Sequence, residues 1–289
     1  MTGTRVVPIG ACQLDRALSS SEKDGRMNVR RWIWCYTTVE ALQQIRFFQG
    51  AIEIPERLYP YCGLPREFEY SAVHWSKINE ADLVLVEPNS IICTYFESYA
   101  LNRASFHGFL DAFGSEKRRE TNDWLLHGVL GCNEDRRREA ANRLLQLLPP
   151  DIEDREIVRE LLVETRGRRQ DFEEYVTSIA EIRDMVPSPM ALVAYIHQYL
   201  PDGRPLPWPP EHLEYTIEAA RRLDLPIFNP ADIVAKFGVD KAMNEARTLY
   251  RDEFCPVIGD HLYAFVRDVI DRKAATFIER STDPVAAAK

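Results

Sequence analysis

Paired cysteines are missing from this 289-residue chain: its six, Cys12, Cys35, Cys62, Cys93, Cys132 and Cys255, stand far apart, with no Cys-x-x-Cys and no zinc-finger or disulfide-scaffold spacing. They read as reduced thiols in a cytoplasmic protein. Neither His-x-x-x-His nor His-Glu-x-x-His occurs, so no metal site is expected. The first β-α turn lacks Gly-x-Gly-x-x-Gly and no Gly-Lys-Ser/Thr follows a glycine-rich loop, which argues against dinucleotide and nucleoside triphosphate sites. Positive charge is short as well. Lys plus Arg number 36 against 45 Asp plus Glu, a net charge of −9 that argues against nucleic acid or an anionic membrane as partner. The longest apolar runs, such as 190–196, fall well short of the roughly 20 residues a bilayer requires, so no membrane span is expected. The N-terminus shows neither the basic region nor the apolar stretch of a secretory signal.

What is present is a 45% apolar composition, enough for a large buried core, and an alternation of strand and helix patterns. Arg5-Val6-Val7-Pro8-Ile9 is β-branched and ends at Gly10, after which Leu14, Ala17 and Leu18 fall at helical spacing from Gln13 onward. A second unit is expected from an aromatic-rich strand over 29–36 and a helix opened by a Thr37/Glu40 capping box. The continuously apolar run 81–86 predicts a third strand covered on both faces. From 115 to 186 charges rise and leucines follow a helical period, which predicts a helical insertion. Beyond it come a strand over 190–196, a helix over 211–223, a short strand over 225–228, a helix start at Asn229-Pro230-Ala231-Asp232 and an amphipathic helix over 261–280. The pattern predicts a single α/β domain over 1–289, a three-layer sandwich around a mostly parallel sheet with the insertion at 115–186.

In an open parallel sheet, ligands bind at the carboxyl edge of the strands, and the first β-α turn lies there. Cys12 occupies that turn at the start of a helix, where unpaired N–H groups and the positive end of the dipole would favour a thiolate and stabilise an oxyanion. A small buried residue closing a turn is the competing reading for a single cysteine. Among the six histidines, His261 follows Gly259-Asp260 at the expected start of the last helix and is the candidate base, with Asp260 either orienting it or serving as N-cap; Asp252 is the other nearby carboxylate. His197 closes the 190–196 strand at the same edge. His74, His107, His127 and His212 stand in helical or loop settings and read as structural. After the third strand, Glu87-Pro88-Asn89-Ser90 offers Asn89 as an oxyanion donor and Glu87 as a hydroxyl-binding group, against the plain alternative of an Asn-containing turn.

Read together, these residues resemble the SGNH/GDSL hydrolase-like superfamily. Ile9-Gly10-Ala11-Cys12-Gln13 carries cysteine in place of the usual serine, as in the branch of WcbI-type capsule-polysaccharide acyltransferases. The resemblance covers roughly 5–110 and 188–275. It implies an SGNH/flavodoxin-like fold, Cys12 as nucleophile with its own N–H as oxyanion donor, Gly10, Gln13, Glu87, Asn89, Ser90 and His197 as oxyanion or substrate-contacting residues, and His261 as base. It implies a sugar hydroxyl or other small-molecule acceptor and acyl-coenzyme A as donor, with no permanently bound cofactor. Three positions depart from the pattern: Ala11 stands for Asn, Ile258 stands where the Asp of Asp-x-x-His belongs, and no glycine donor loop is evident. The alternatives are ester or thioester hydrolysis, and a non-catalytic binding protein using the charged runs Glu116 to Glu120 and Asp135 to Glu139.

Overall fold

The computed structural model describes residues 3–10, 12–32, 34–64, 70–111, 113–150, 152 and 154–281, the side chains of 70–74, 106–108, 111, 116 and 273–281 excepted. Ala11 and the side chains of His74 and His107 therefore lie outside the described residues. In chain order the strands and α-helices are β1 (Thr4–Ile9), α1 (Cys12–Lys23), β2 (Met27–Val29), α2 (Thr38–Phe48), α3 (Tyr70–Asn79), β3 (Leu83–Val86), β4 (Ile92–Phe96), β5 (Tyr99–Leu101), α4 (Arg103–Asp111), α5 (Arg118–Asn122), α6 (Glu134–Gln146), α7 (Arg155–Glu164), β6 (Arg166–Arg169), α8 (Phe172–Met185), β7 (Met190–Val193), β8 (Gln198–Tyr199), β9 (Pro205–Leu206), α9 (His212–Arg222), β10 (Ile227–Phe228), α10 (Ala231–Phe237), α11 (Val239–Ala242) and α12 (Cys255–Ser281). The chain divides into two compact units: Met1–Trp32, Ser76–Asn89 and Arg183–Lys289 make the first, Ile33–Trp75 and Ser90–Ile182 the second.

The first unit holds a five-stranded sheet in the order β10-β7-β3-β1-β2, with every pair parallel. Numbered within the sheet this is the doubly wound order 2-1-3-4-5, with its switch point between β1 and β3. Alternate strand residues Val6, Leu83, Leu85, Ala191 and Val193 join one buried cluster with Leu14, Ala17 and Leu18 of α1 and Ile258, Leu262, Val266 and Val269 of α12. Period two in the strands thus meets a helical period in both helices. Each such side chain removed from water contributes about 1.5–3 kcal/mol, which fixes α1 and with it Cys12 against the sheet.

In the second unit β4 pairs antiparallel with β5 and β6. Its α2 opens as the sequence predicts: the Thr37 hydroxyl accepts from the Glu40 N–H at 3.2 Å, while Glu40 accepts from the Tyr36 N–H at 3.1 Å. The charged run from Asp135 to Glu139 is more than a solvated face. Arg137 is 2% exposed, pairs with Glu134 and donates to the carbonyls of Leu162 and Val163, the last turn of α7. The helical block expected at 115–186 falls within this unit apart from its last residues, and also contains β6.

Several expected elements begin or end elsewhere: the strand expected over 190–196 ends at Val193, and that over 225–228 begins at Ile227. The strand expected over 29–36 stops at Val29, because β1 pairs with β2 only through Thr4 to Val6 and, among the described residues, no other strand flanks β2. The helix expected from His261 begins at Cys255. Pro256 is tolerated in its first turn, and Gly259 lies where an added Cβ would meet the Ala17 carbonyl oxygen at 2.8 Å, so neither residue ends the helix.

Candidate active site

Three strand ends of the first unit meet around the switch point. β1 delivers Gly10 and then Cys12, the first residue of α1; β3 delivers Glu87, Pro88 and Asn89; β7 is followed by Tyr195, Ile196 and His197. The Glu87 N–H donates to the Ile9 carbonyl at 2.8 Å, so its side chain is held beside Gly10, and it is buried. Cys12 is half-buried. Its thiol is pushed above the usual value near 9, first by burial and then by the Glu87 charge, with the α1 backbone opposing them. The helix N-terminus therefore does not lower the pKa of the thiol as the sequence suggests; the lost hydration and the buried acid outweigh it.

Gln13 fastens this turn to distant parts of the chain. Its amide Nε2 donates to the Ile196 carbonyl at 2.7 Å and to the Thr248 carbonyl at 2.8 Å, which ties α1 to the end of β7 and to the segment before α12. Asn89 is 6% exposed, and its Oδ1 is buried with no hydrogen-bond partner among the described residues, an acceptor available to a ligand hydroxyl. Ser90 faces a different task from the one expected. Its Oγ accepts from the Ile92 N–H at 3.0 Å and its own N–H donates to the Tyr36 carbonyl at 2.9 Å, so it shapes the approach to β4 in the second unit.

The histidines sort differently from the sequence expectation. His261 is exposed, and the turn before it packs on α1 at Ala17, Ser20 and Ser21 through Gly259. From Cys12 to Ser21 the α1 axis runs about 14 Å at 1.5 Å per residue, so His261 stands at the far end of that helix from the thiol. Asp260 is neither its orienting carboxylate nor an N-cap: it lies inside α12 and pairs with Arg26 at 2.7 Å. Asp252 pairs with Arg16. The histidine tied to the site is His212, which the sequence marks only by its place after a proline-rich loop. Buried at the first position of α9, it donates to the Pro88 carbonyl, the single hydrogen-bonding group of that backbone unit, and burial lowers its pKa to about 4. His197 is half-buried, its ring 6.5 Å from Tyr195 and 6.1 Å from Trp208, and its charge is felt at His212. Among the described residues no group of three or more His, Cys, Asp or Glu side chains is arranged to hold a metal ion.

A half-buried thiol, a buried carboxylate, two imidazoles and the open N–H groups of a helix terminus converge on the carboxyl edge of a parallel sheet, a combination suited to covalent chemistry at a carbonyl. Residues 4–265 match the family described as TviD N-terminal domain, and the chain belongs to that family. It is also similar to the Vi polysaccharide biosynthesis protein TviD of Salmonella typhi, with 24% identity over 284 residues. That alignment takes in 89% of this chain and 30% of the relative, so the chain spans less than a third of the relative's length. No solved structure matches.

Proposed function

We propose that this chain performs acyl transfer in polysaccharide biosynthesis, with Cys12 receiving the acyl group and a sugar hydroxyl accepting it. The observation that carries this reading is the position of Cys12, a half-buried thiol opening α1 at the switch point of the sheet beside the buried Glu87. Strand order and the cysteine-bearing first turn support the three-layer SGNH/flavodoxin-like sandwich and its acyltransferase branch; the relative's name supports the acceptor class. Acyl-coenzyme A is the donor in this reading. Cys12 sulfur bonds to the thioester carbonyl carbon as its proton passes to a base, the C–S bond to the coenzyme breaks and the base returns that proton to the departing coenzyme thiol; the acceptor oxygen then bonds to the same carbon, its proton going to the base and on to the Cys12 sulfur that leaves. The N–H groups of Cys12 and Gln13, without intrahelical partners in the first turn, stabilise the oxyanion each time.

The lowered pKa of His212 counts against it as the base. Passing a proton from a thiol held above 9 to His212 at about 4 is disfavoured by at least five powers of ten. His212 therefore positions the Glu87-Pro88-Asn89 loop, and His197 is the base. Its neighbour Ile196 accepts from Gln13, which follows Cys12 in the chain. With acetyl-coenzyme A and an oligosaccharide acceptor, Cys12→Ala lowers kcat/KM by at least about 100-fold, and His197→Gln does so by about 100-fold. His212→Gln lowers kcat by no more than about tenfold. Undiminished turnover by Cys12→Ala overturns the mechanism. Products formed with and without the oligosaccharide separate transfer from hydrolysis, in which water takes the acceptor's place.

A further inference from the structure

Beyond the reacting groups, the carboxyl edge carries an apolar feature that the chemistry of Cys12 does not require. Trp208 is 40% exposed and Leu206, two residues before it, is 41% exposed. Large side chains scattered singly need no explanation, but this indole lies against the site, 6.1 Å from the His197 imidazole at an interplanar angle of 42°. The segment before Trp208 is fastened from below: the Tyr199 N–H donates to the Arg247 carbonyl at 3.1 Å, the Gln198 amide donates to the Ala246 carbonyl at 3.1 Å, and β8 pairs with β9. A strand pair held this way loses little conformational freedom when a ligand lies against the segment that follows it.

We infer that Trp208, tilted beside His197, is the platform on which the glycan acceptor lies. An exposed indole offers an electron-rich face and a ring N–H, which suit the C–H-lined face and the rim hydroxyls of a pyranose. A pyranose ring on Trp208 has its hydroxyls next to His197, the base that must take the acceptor proton. Asn89 Oδ1, the buried acceptor on the neighbouring strand end, matches a further hydroxyl donor. The placement of the reacting hydroxyl rests on the acyl-transfer reading; the binding of the sugar does not.

The test is binding of maltohexaose, an N-acetylglucosamine hexamer and a galacturonate hexamer to the full chain and to its Cys12→Ser variant, followed by calorimetry and by the indole N–H resonances of 15N-labelled tryptophan. At least one of these probes binds both proteins and shifts the Trp208 resonance, identified by its loss in Trp208→Phe. Trp208→Ala weakens that binding at least tenfold and raises the acceptor KM more than it lowers kcat, while Trp208→Phe stays within about threefold of the parent. Equal affinity in Trp208→Ala, an unmoved Trp208 resonance, or no binding of any probe overturns the platform. Glycan binding without acyl transfer leaves the platform standing and overturns the chemistry proposed for Cys12.

Discussion

An added Cβ at Gly10 would stand 2.7 Å from Glu87 Cβ and 3.2 Å from the Glu87 carbonyl oxygen, with the carboxylate oxygen at 3.3 Å. Two of those atoms belong to a β3 end fixed by the Glu87 hydrogen bond to Ile9, so the contact cannot relax by rotating a flexible tip. Gly10→Ala is expected to cost about 1–3 kcal/mol, as overpacking of a close-packed interior does, and to displace Glu87. Denaturant unfolding of the variant measures the first effect; parent-like stability would contradict the contact. At this scale the places of Cys12, Gly10, Glu87 and Asn89 in the fold were legible because a β-α turn and a strand end each have one place in a parallel sheet, and His197 likewise stands beyond the end of β7. The other two histidines were not. His212 is defined by its bond to the Pro88 carbonyl, a contact across more than a hundred residues that no local pattern records, and His261 drew attention only through chain order.

Among the elements, α2 carries a buried acid whose role is structural. Glu40 is 3% exposed, accepts from Tyr36, Thr37 and Asn102, and burial pushes its pKa to about 8. Its folded-state pKa lies above the unfolded value near 4.5, so the protein binds the extra proton and Glu40 contributes most to stability below pH 4.5. That contribution falls as pH rises and is gone above about 8. Glu40→Gln keeps the shape and removes the titration, so its unfolding free energy should decline less than the parent's between pH 5 and 8. Matched denaturant curves at the two pH values test this; identical declines would contradict it. Element boundaries were read well where one period dominates, as in β1, β3, α2 and α9. They were misread at the start of α12, where Pro256 and Gly259 look like breakers but serve a helix start and a close helix contact. The strand β6 escaped notice because Arg-Gly-Arg-Arg has no apolar alternation; its pairing with β4 is set by the partner strand.

For the molecule as a whole, the parallel sheet of the first unit concentrates burial in its middle. Val6, Val7, Leu83, Val84, Leu85, Ala191 and Leu192 are all fully buried, while the edge strands β2 and β10 are short and paired on one side only. Amides of β1, β3 and β7 are therefore expected to exchange with solvent at least about tenfold more slowly than those of β2 and β10 under native conditions, since the centre opens only with the unit. Equal protection across the sheet, measured by hydrogen exchange, would contradict that ordering. The α/β character and the parallel sheet followed from the alternation of patterns along the chain, whereas the division into two compact units depends on contacts that only the folded chain reveals.

The two hydrogen bonds of Gln13 also set a timetable. Gln13, the residue beside Cys12, is made well before its amide partners, the carbonyls of Ile196 and Thr248, which follow it by 183 and 235 positions. On the ribosome, β1 and β3 can associate early, but the turn bearing Cys12 acquires its final fastening only after the segment around Thr248 has left the exit tunnel. The fastened first turn is thus gained late by the nascent chain, and a polypeptide interrupted before that point carries Cys12 without its completed setting.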